Sequence, residues 1–193
     1  MPDAPRPTKE QIRAAVGARV PDVIAPELDV LFCGINPGTY SGAVGHHFAR
    51  PGNRFWRTLH SSGFTDRVLS SFEENELLRF GLGITNLVER ATPTADALTS
   101  DELRDGALRL TRKLKRFRPR WVSFLGLTSY RTAFGQRDAT IGPQEQTFGT
   151  TRVWLLPNPS GLNAHWQLPD LARVFGELRL QVKAEHGLPS PSV

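Results

Sequence analysis

Four short apolar runs constrain this chain most: "DVLFCGI" (29–35), "LGITNLV" (82–88), "RWVSFLGL" (120–127) and "TRVWLL" (151–156). Each is too short for a stable helix and reads as a buried strand. Helical patterns lie between and around them. "TKEQIRAAVGARV" opens on the cap Thr8, and "NRFWRTLHSSGF" places Phe55, Trp56 and Leu59 on one side and stops near Gly63. "SFEENELLRFG" takes Ser71 as its cap and ends on a glycine. "TSDELRDGALRLTRKLKRF" begins at Thr99 or Ser100, has acids first and cations last, and is stopped by Pro119. "TSYRTAFG" follows the third strand, and "LPDLARVFGELRLQVKAE" closes the chain. Alternating strands and helices dictate an α/β fold: a three-layer sandwich with a central, mostly parallel sheet of four to five strands and helices on both faces. The 193 residues suffice for one domain over the whole chain, with frayed ends at about 1–7 and 186–193.

In such sheets ligands bind beyond the carboxyl ends of the strands. The segments there are small and polar: Gly34-Ile35-Asn36-Pro37-Gly38 after the first strand and "NLVERATPTAD" after the second. "GLTSY" follows the third, and Asn158-Pro159-Ser160-Gly161-Leu162-Asn163 the fourth. These four loops are expected to meet at one rim. The rim lacks a nucleophile elbow and a phosphate-binding Gly-Lys-Ser/Thr loop. It offers amides, hydroxyls, backbone N–H groups and a few rings, a set suited to a planar heterocycle and to electrostatic catalysis.

Composition narrows the classes further. Cys33 is the single cysteine and lies inside an apolar run, which rules out a disulfide framework and a multi-thiolate metal or iron–sulfur site. His46 and His47 are adjacent without a third ligand at zinc spacing, so no metal and no cofactor is expected. No apolar run reaches the ~20 residues of a membrane helix, and the N-terminus lacks a secretory pattern. The expectation is a monomeric cytoplasmic protein, nucleoid-associated in a bacterium. The net charge is +5, and "RLTRKLKRFRPR" (109–120) holds seven basic residues and no acid. That run is either a solvated helix face or a polyanion contact.

"GINPG", "GHHFARPGNRFW", "ITNLVERATP" and "LPNPSGLN" together resemble, in order and spacing, the mismatch-specific uracil/thymine DNA glycosylases, over about residues 28–182. The second and third motifs look like the animal thymine-DNA type, and "NPSGL" like the bacterial mismatch-uracil type. The resemblance implies a hydrolase that excises a mispaired or damaged base from double-stranded DNA after rotating it out of the stack, at a cost of a few kcal/mol.

It also implies residue roles. Asn36 resembles the family's water-positioning asparagine; a carboxamide is no base at neutral pH, so it supplies proximity. Bond breaking then runs ahead of attack, and N–H groups around Gly34, Ile35, Gly38 and Phe48 are the expected donors to the leaving base. Phe48 matches the ring that stacks on the everted base, and Ser41 the position packed against the pyrimidine 5-carbon, where a hydroxyl disfavours thymine. His47 either hydrogen-bonds or packs. Asn158, Pro159, Ser160, Gly161, Leu162 and Asn163 correspond to the wedge that fills the duplex. Ala164 stands where bacterial relatives often carry arginine, leaving Asn163, His165 or Trp166 to face the orphaned guanine. Asp96 is a secondary catalytic candidate, as general base or cation stabiliser, with a helix-start or turn role as the alternative. Thr128, Ser129 and Arg131, with some of Lys113, Lys115, Arg116 and Arg118, are the expected phosphate contacts. Asn53 is expected to cap the helix that carries Trp56. The partner is double-stranded DNA with a G:U or similar mispair. A non-catalytic nucleotide or damaged-DNA binder and an enzyme of free nucleosides are the other readings.

Overall fold

The computed structural model describes residues 6–186. The expected fraying at 1–5 and 187–193 lies outside the described residues, while His186 is the last residue of a helix. The elements are α1 (Lys9–Ala14), β1 (Val30–Gly34), α2 (Thr39–Val44), α3 (Phe55–Ser61), a 3-10 segment (Ser71–Phe80), β2 (Leu82–Asn86), α4 (Ser100–Phe117), β3 (Trp121–Leu125), α5 (Leu127–Phe134), β4 (Gly142–Phe148), β5 (Thr151–Leu156) and α6 (Leu168–His186). The sheet runs β2-β1-β3-β5-β4, with β1, β2, β3 and β5 parallel and β4 antiparallel on the edge.

Alternation along each strand divides the core in two. Val30, Phe32, Leu82, Ile84, Trp121, Trp154 and Leu156 face α3 and α6, where Phe55, Leu59, Leu171, Phe175 and Leu178 pack on them. Leu31, Cys33, Val122, Phe124, Val153 and Leu155 face α4 and α5. Burial from this second layer pushes the Cys33 thiol pKa up, so it stays a protonated, inert hydrophobe. Gly106 lets α4 lie against the segment leaving β2: a Cβ there would run into the Leu87 carbonyl.

β4 and α2 are absent from the sequence-based expectation. "GPQEQTF" is an edge strand whose middle residues are exposed or half-exposed, so it carries no apolar run. The cap of the 3-10 segment is Ser70, not Ser71: Ser70 and Glu73 bond reciprocally, so Ser71 is the first helical residue. Thr99 rather than Ser100 caps α4, in the same reciprocal arrangement with Glu102.

Candidate active site

β1, β2 and β5 end at one rim, and the loops leaving them enclose a cavity of about 150 Å3. Typical small-molecule pockets run ~300–1,000 Å3, so this one suits a single ring. Its floor is Gly34 and Asn86, the paired last residues of β1 and β2. Asn36, Ser41, His47, Phe48, Thr92 and Asn158 line it further up, with Leu162 at its mouth.

Asn36 is held by its nitrogen alone. Its Nδ2 donates to Thr92 Oγ1 at 2.7 Å, Arg90 O at 3.0 Å and Pro37 O at 3.1 Å. Thr92 Oγ1 donates its own hydrogen bond to Thr94 O at 2.7 Å, so its oxygen is left to accept from the amide. Three acceptors around one end of the carboxamide settle which end is nitrogen. The carbonyl oxygen makes no hydrogen bond among the described residues, and it belongs to a half-buried side chain on the cavity wall. Arg90 is fixed in turn by Glu102, in the first turn of α4, and that ion pair holds the Glu102 carboxyl well below its ordinary pKa.

Phe48 adopts a left-handed backbone conformation, φ 51°, which costs free energy for a side-chain-bearing residue. Its ring stacks on Phe55 at 4.1 Å between centroids and 27° between planes. The N-cap of α3 is Arg54 and not the expected Asn53, which stands one residue earlier and fixes the helix start by accepting Phe55 N–H on Oδ1 at 2.9 Å. Backbone N–H groups of Ile35, Asn36 and Phe48 donate to no protein group among the described residues, which leaves them available to a ligand.

His47 is 2% exposed and hydrogen-bonds instead of merely packing. Its Nε2 lies 2.9 Å from Pro21 O, which can only accept, so Nε2 carries the proton and Nδ1 accepts from Asn86 Nδ2 at 3.3 Å. Burial lowers the His47 pKa, opposed by nearby Glu74, whose carboxylate receives His47 N–H at 2.8 Å and His46 Nδ1 at 2.9 Å. Protonated His47 would turn a second donor toward the Asn86 amide. The unfolded chain takes up a proton near the ordinary histidine value of 6.5, whereas the folded chain resists it to lower pH. Stability is therefore flat above that value and falls as pH drops from it toward the lowered pKa. Melting temperature followed down through this window should fall less in His47→Gln than in the parent. Equal acid slopes would remove His47 from this account.

The 157–167 segment forms the opposite wall. Leu162 is 71% exposed. Asn158 Oδ1 accepts Ser160 N–H at 3.0 Å, and Asn163 Nδ2 donates to Asn158 O at 3.1 Å. Ser41 is buried, and its Oγ accepts Ala49 N–H at 3.1 Å.

Several expectations need correction. Asp96 is exposed on a single 3-10 turn and lines a neighbouring groove instead of the cavity, because Ala95 is the last residue of its loop to reach the cavity wall. Pro159 is buried, and its carbonyl accepts from Arg54, so it anchors the wedge loop without facing outward. Asn163 spends its side chain inside the loop, its Oδ1 accepting His165 N–H at 3.3 Å, and Trp166 packs on the core. Neither presents itself to an orphaned base. Thr128 and Ser129 line the groove beside the cavity, but Arg131 braces the Ala139 carbonyl at 2.6 Å and borders a separate hollow with Arg104 and Arg137. The cationic end of α4 runs away from the rim, to the start of β1: Phe117 O accepts from Glu27 N–H, Arg118 pairs with Glu27 at 3.0 Å, and Lys113 is held by Asp22 and Thr85. Helix direction thus removes Lys113, Lys115, Arg116 and Arg118 from the phosphate contacts of this site. Four site residues were not anticipated: Asn86, Thr92, Arg50 at the mouth, and Arg54 beneath the wedge loop. Asn86 is a carboxamide set in the apolar run 82–88, a signal akin to that of Asn36 after the run 29–35, whereas Thr92 follows Glu89-Arg90-Ala91 and carries no such signal.

The mostly parallel sheet thus carries a small pocket at its strand ends, walled by an anchored carboxamide, a stacked phenylalanine and a protruding leucine. The chain belongs to the uracil DNA glycosylase superfamily: the model of that family matches residues 21–179. The fold is shared with the solution NMR structure of a candidate uracil DNA glycosylase from Methanosarcina acetivorans, at 19% identity and a TM-score of 0.56, over 85% of this chain and 99% of that one.

Proposed function

We propose that this protein is a monofunctional DNA glycosylase that everts uracil, or a related damaged pyrimidine, from a mispaired duplex and hydrolyses its N-glycosidic bond. The observation that carries the reading is Asn36: its nitrogen is consumed by three acceptors and its carbonyl oxygen is left free beside a ring-sized pocket. A carboxamide held this way orients a water without taking its proton. The bond from the base nitrogen to the sugar C1′ therefore breaks first, and its electron pair leaves with the base as an anion. The water oxygen then bonds to the cationic C1′, its proton passes to solvent, and an abasic site remains. Free N–H groups at Ile35, Asn36 and Phe48 stabilise the departing anion as donors already in place where its charge develops. Phe48 supports the everted ring, Asn86 offers both an acceptor and a donor to its edge, and the Ser41 hydroxyl crowds a 5-methyl group. Leu162 fills the vacated step in the duplex.

The test is a duplex carrying one G:U pair, incubated with the purified protein and then treated with alkali. Scission at the uracil supports the proposal. Binding without scission points to a damaged-DNA binder, and release from free nucleosides alone points to a nucleoside enzyme. In the same assay, Asp96→Asn should stay within about threefold of the parent, since exposed residues away from a site carry small effects. A larger loss would restore Asp96 to the chemistry.

A further inference from the structure

We infer that Arg54 is the positioning residue that presets the Leu162 wedge, so that base eversion relies on a rigid probe and not on a loop that orders on contact. This rests on the glycosylase reading above. Arg54 precedes α3, far in sequence from the wedge, yet among the described residues every hydrogen bond its side chain makes goes to that loop. Its Nη2 donates to Ser160 O at 2.5 Å and to Asn163 O at 2.8 Å, its Nε to Pro159 O at 3.4 Å, and its Nη1 to Trp166 O. Its own backbone N–H adds Pro159 O at 3.1 Å. The bonded carbonyls flank Gly161 and Leu162 on both sides.

A guanidinium presents five donors in a fixed fork, and this one is spread over four carbonyls of a single loop. No carboxylate pairs with it among the described residues, so its charge is met only by carbonyl dipoles. A second contact docks the same loop: a Cβ on Gly161 would lie 2.5 Å from Gly52 O, the backbone just before Arg54. Gly161 does not have a positive φ, so a side chain there is opposed by the Gly52 carbonyl alone. The wedge tip is thus clamped to the 50–54 segment by one fork and one close backbone approach. That segment also carries Asn53 and leads into Phe55, the support of Phe48, so the wedge and the stacking ring share one foundation.

Loss of the fork must then hurt where a stacked base has to be displaced and spare a base already out of the helix. The experiment measures kcat/KM on two duplexes, one with uracil in a G:U pair and one with the same uracil as an unpaired bulge. Arg54→Lys keeps the charge and loses the fork. It should lower the G:U rate on the order of 10²-fold, the usual scale for a misplaced positioning element, and leave the bulge within about threefold. In a Leu162→Ala background the same change should add less than about threefold on G:U. Gly161→Ala, which lifts the loop off Gly52 while leaving Arg54 intact, should reproduce the G:U-selective loss and decides the matter if Arg54→Lys does not fold. Equal losses on both substrates for the folded variants, or full additivity with Leu162→Ala, would overturn the inference and leave the glycosylase reading standing. A parent inactive on both duplexes would sink that reading and the inference with it.

Discussion

Asn36→Ala is expected to lower single-turnover release of uracil from a G:U duplex on the order of 10²- to 10³-fold, the range found when one preorganised catalytic dipole is removed. Duplex affinity should stay within about threefold. The split follows from how the side chain is held. Phe48 on Phe55, the Leu162 loop and the Asn86 floor do not lean on Asn36, so the shape of the pocket survives its truncation. What is lost is a carbonyl oxygen on the cavity wall that has no protein partner among the described residues. Because an amide acts by proximity, the rate should show no ionisation that disappears with the mutation. An affinity loss as large as the rate loss would recast Asn36 as a binding residue. A variant with parental rates would end the water-positioning role.

Much of this arrangement was legible in the sequence because strand periodicity and loop chemistry are local. Val30, Phe32 and their neighbours declared two buried faces, and Gly-Asn-Pro loops marked the rim. The capping box at Thr99 was equally readable, since it needs only Glu102 three residues on. Contacts across long separations were not readable. Arg54 carries no signal of its own inside "NRFW", and only the fold returns residues 159–166 to it. The basic end of α4 failed for a different reason. The run is basic, but an antiparallel return places that end of the helix at the start of the strands, opposite the rim. Asp96 shows the same limit on a shorter scale: one residue beyond Ala95, the loop has already turned away from the cavity. β4 escaped because an edge strand with one wet face needs no apolar run.

Gly34→Ala should abolish most activity while the chain stays folded. Gly34 ends β1 with a backbone conformation open to any residue, so alanine meets no torsional penalty there. The obstacle is space: the added Cβ would stand 2.5 Å from Asn86 Oδ1 and 3.3 Å from Phe48 Cζ. Asn86 cannot retreat freely, because its Nδ2 is engaged by His47, which is itself fixed to Pro21 O. Phe48 is backed by Phe55. The methyl group therefore either enters the floor of the one-ring pocket or drives Asn86 off His47, and both remove the edge that would read the pyrimidine. Overpacking of this kind costs about 1–3 kcal/mol of stability, and displacement of a reading group by about an ångström costs on the order of 10²-fold in kcat/KM. Adding Asn86→Ala should separate the two effects. In the double variant the 2.5 Å clash is gone and only the 3.3 Å approach to Phe48 is left, so the melting temperature should recover toward that of Asn86→Ala alone, while activity stays low because the reading amide is absent. Parental kcat/KM in Gly34→Ala would show that the ring does not descend to this floor, and would move the base-binding site outward toward Leu162.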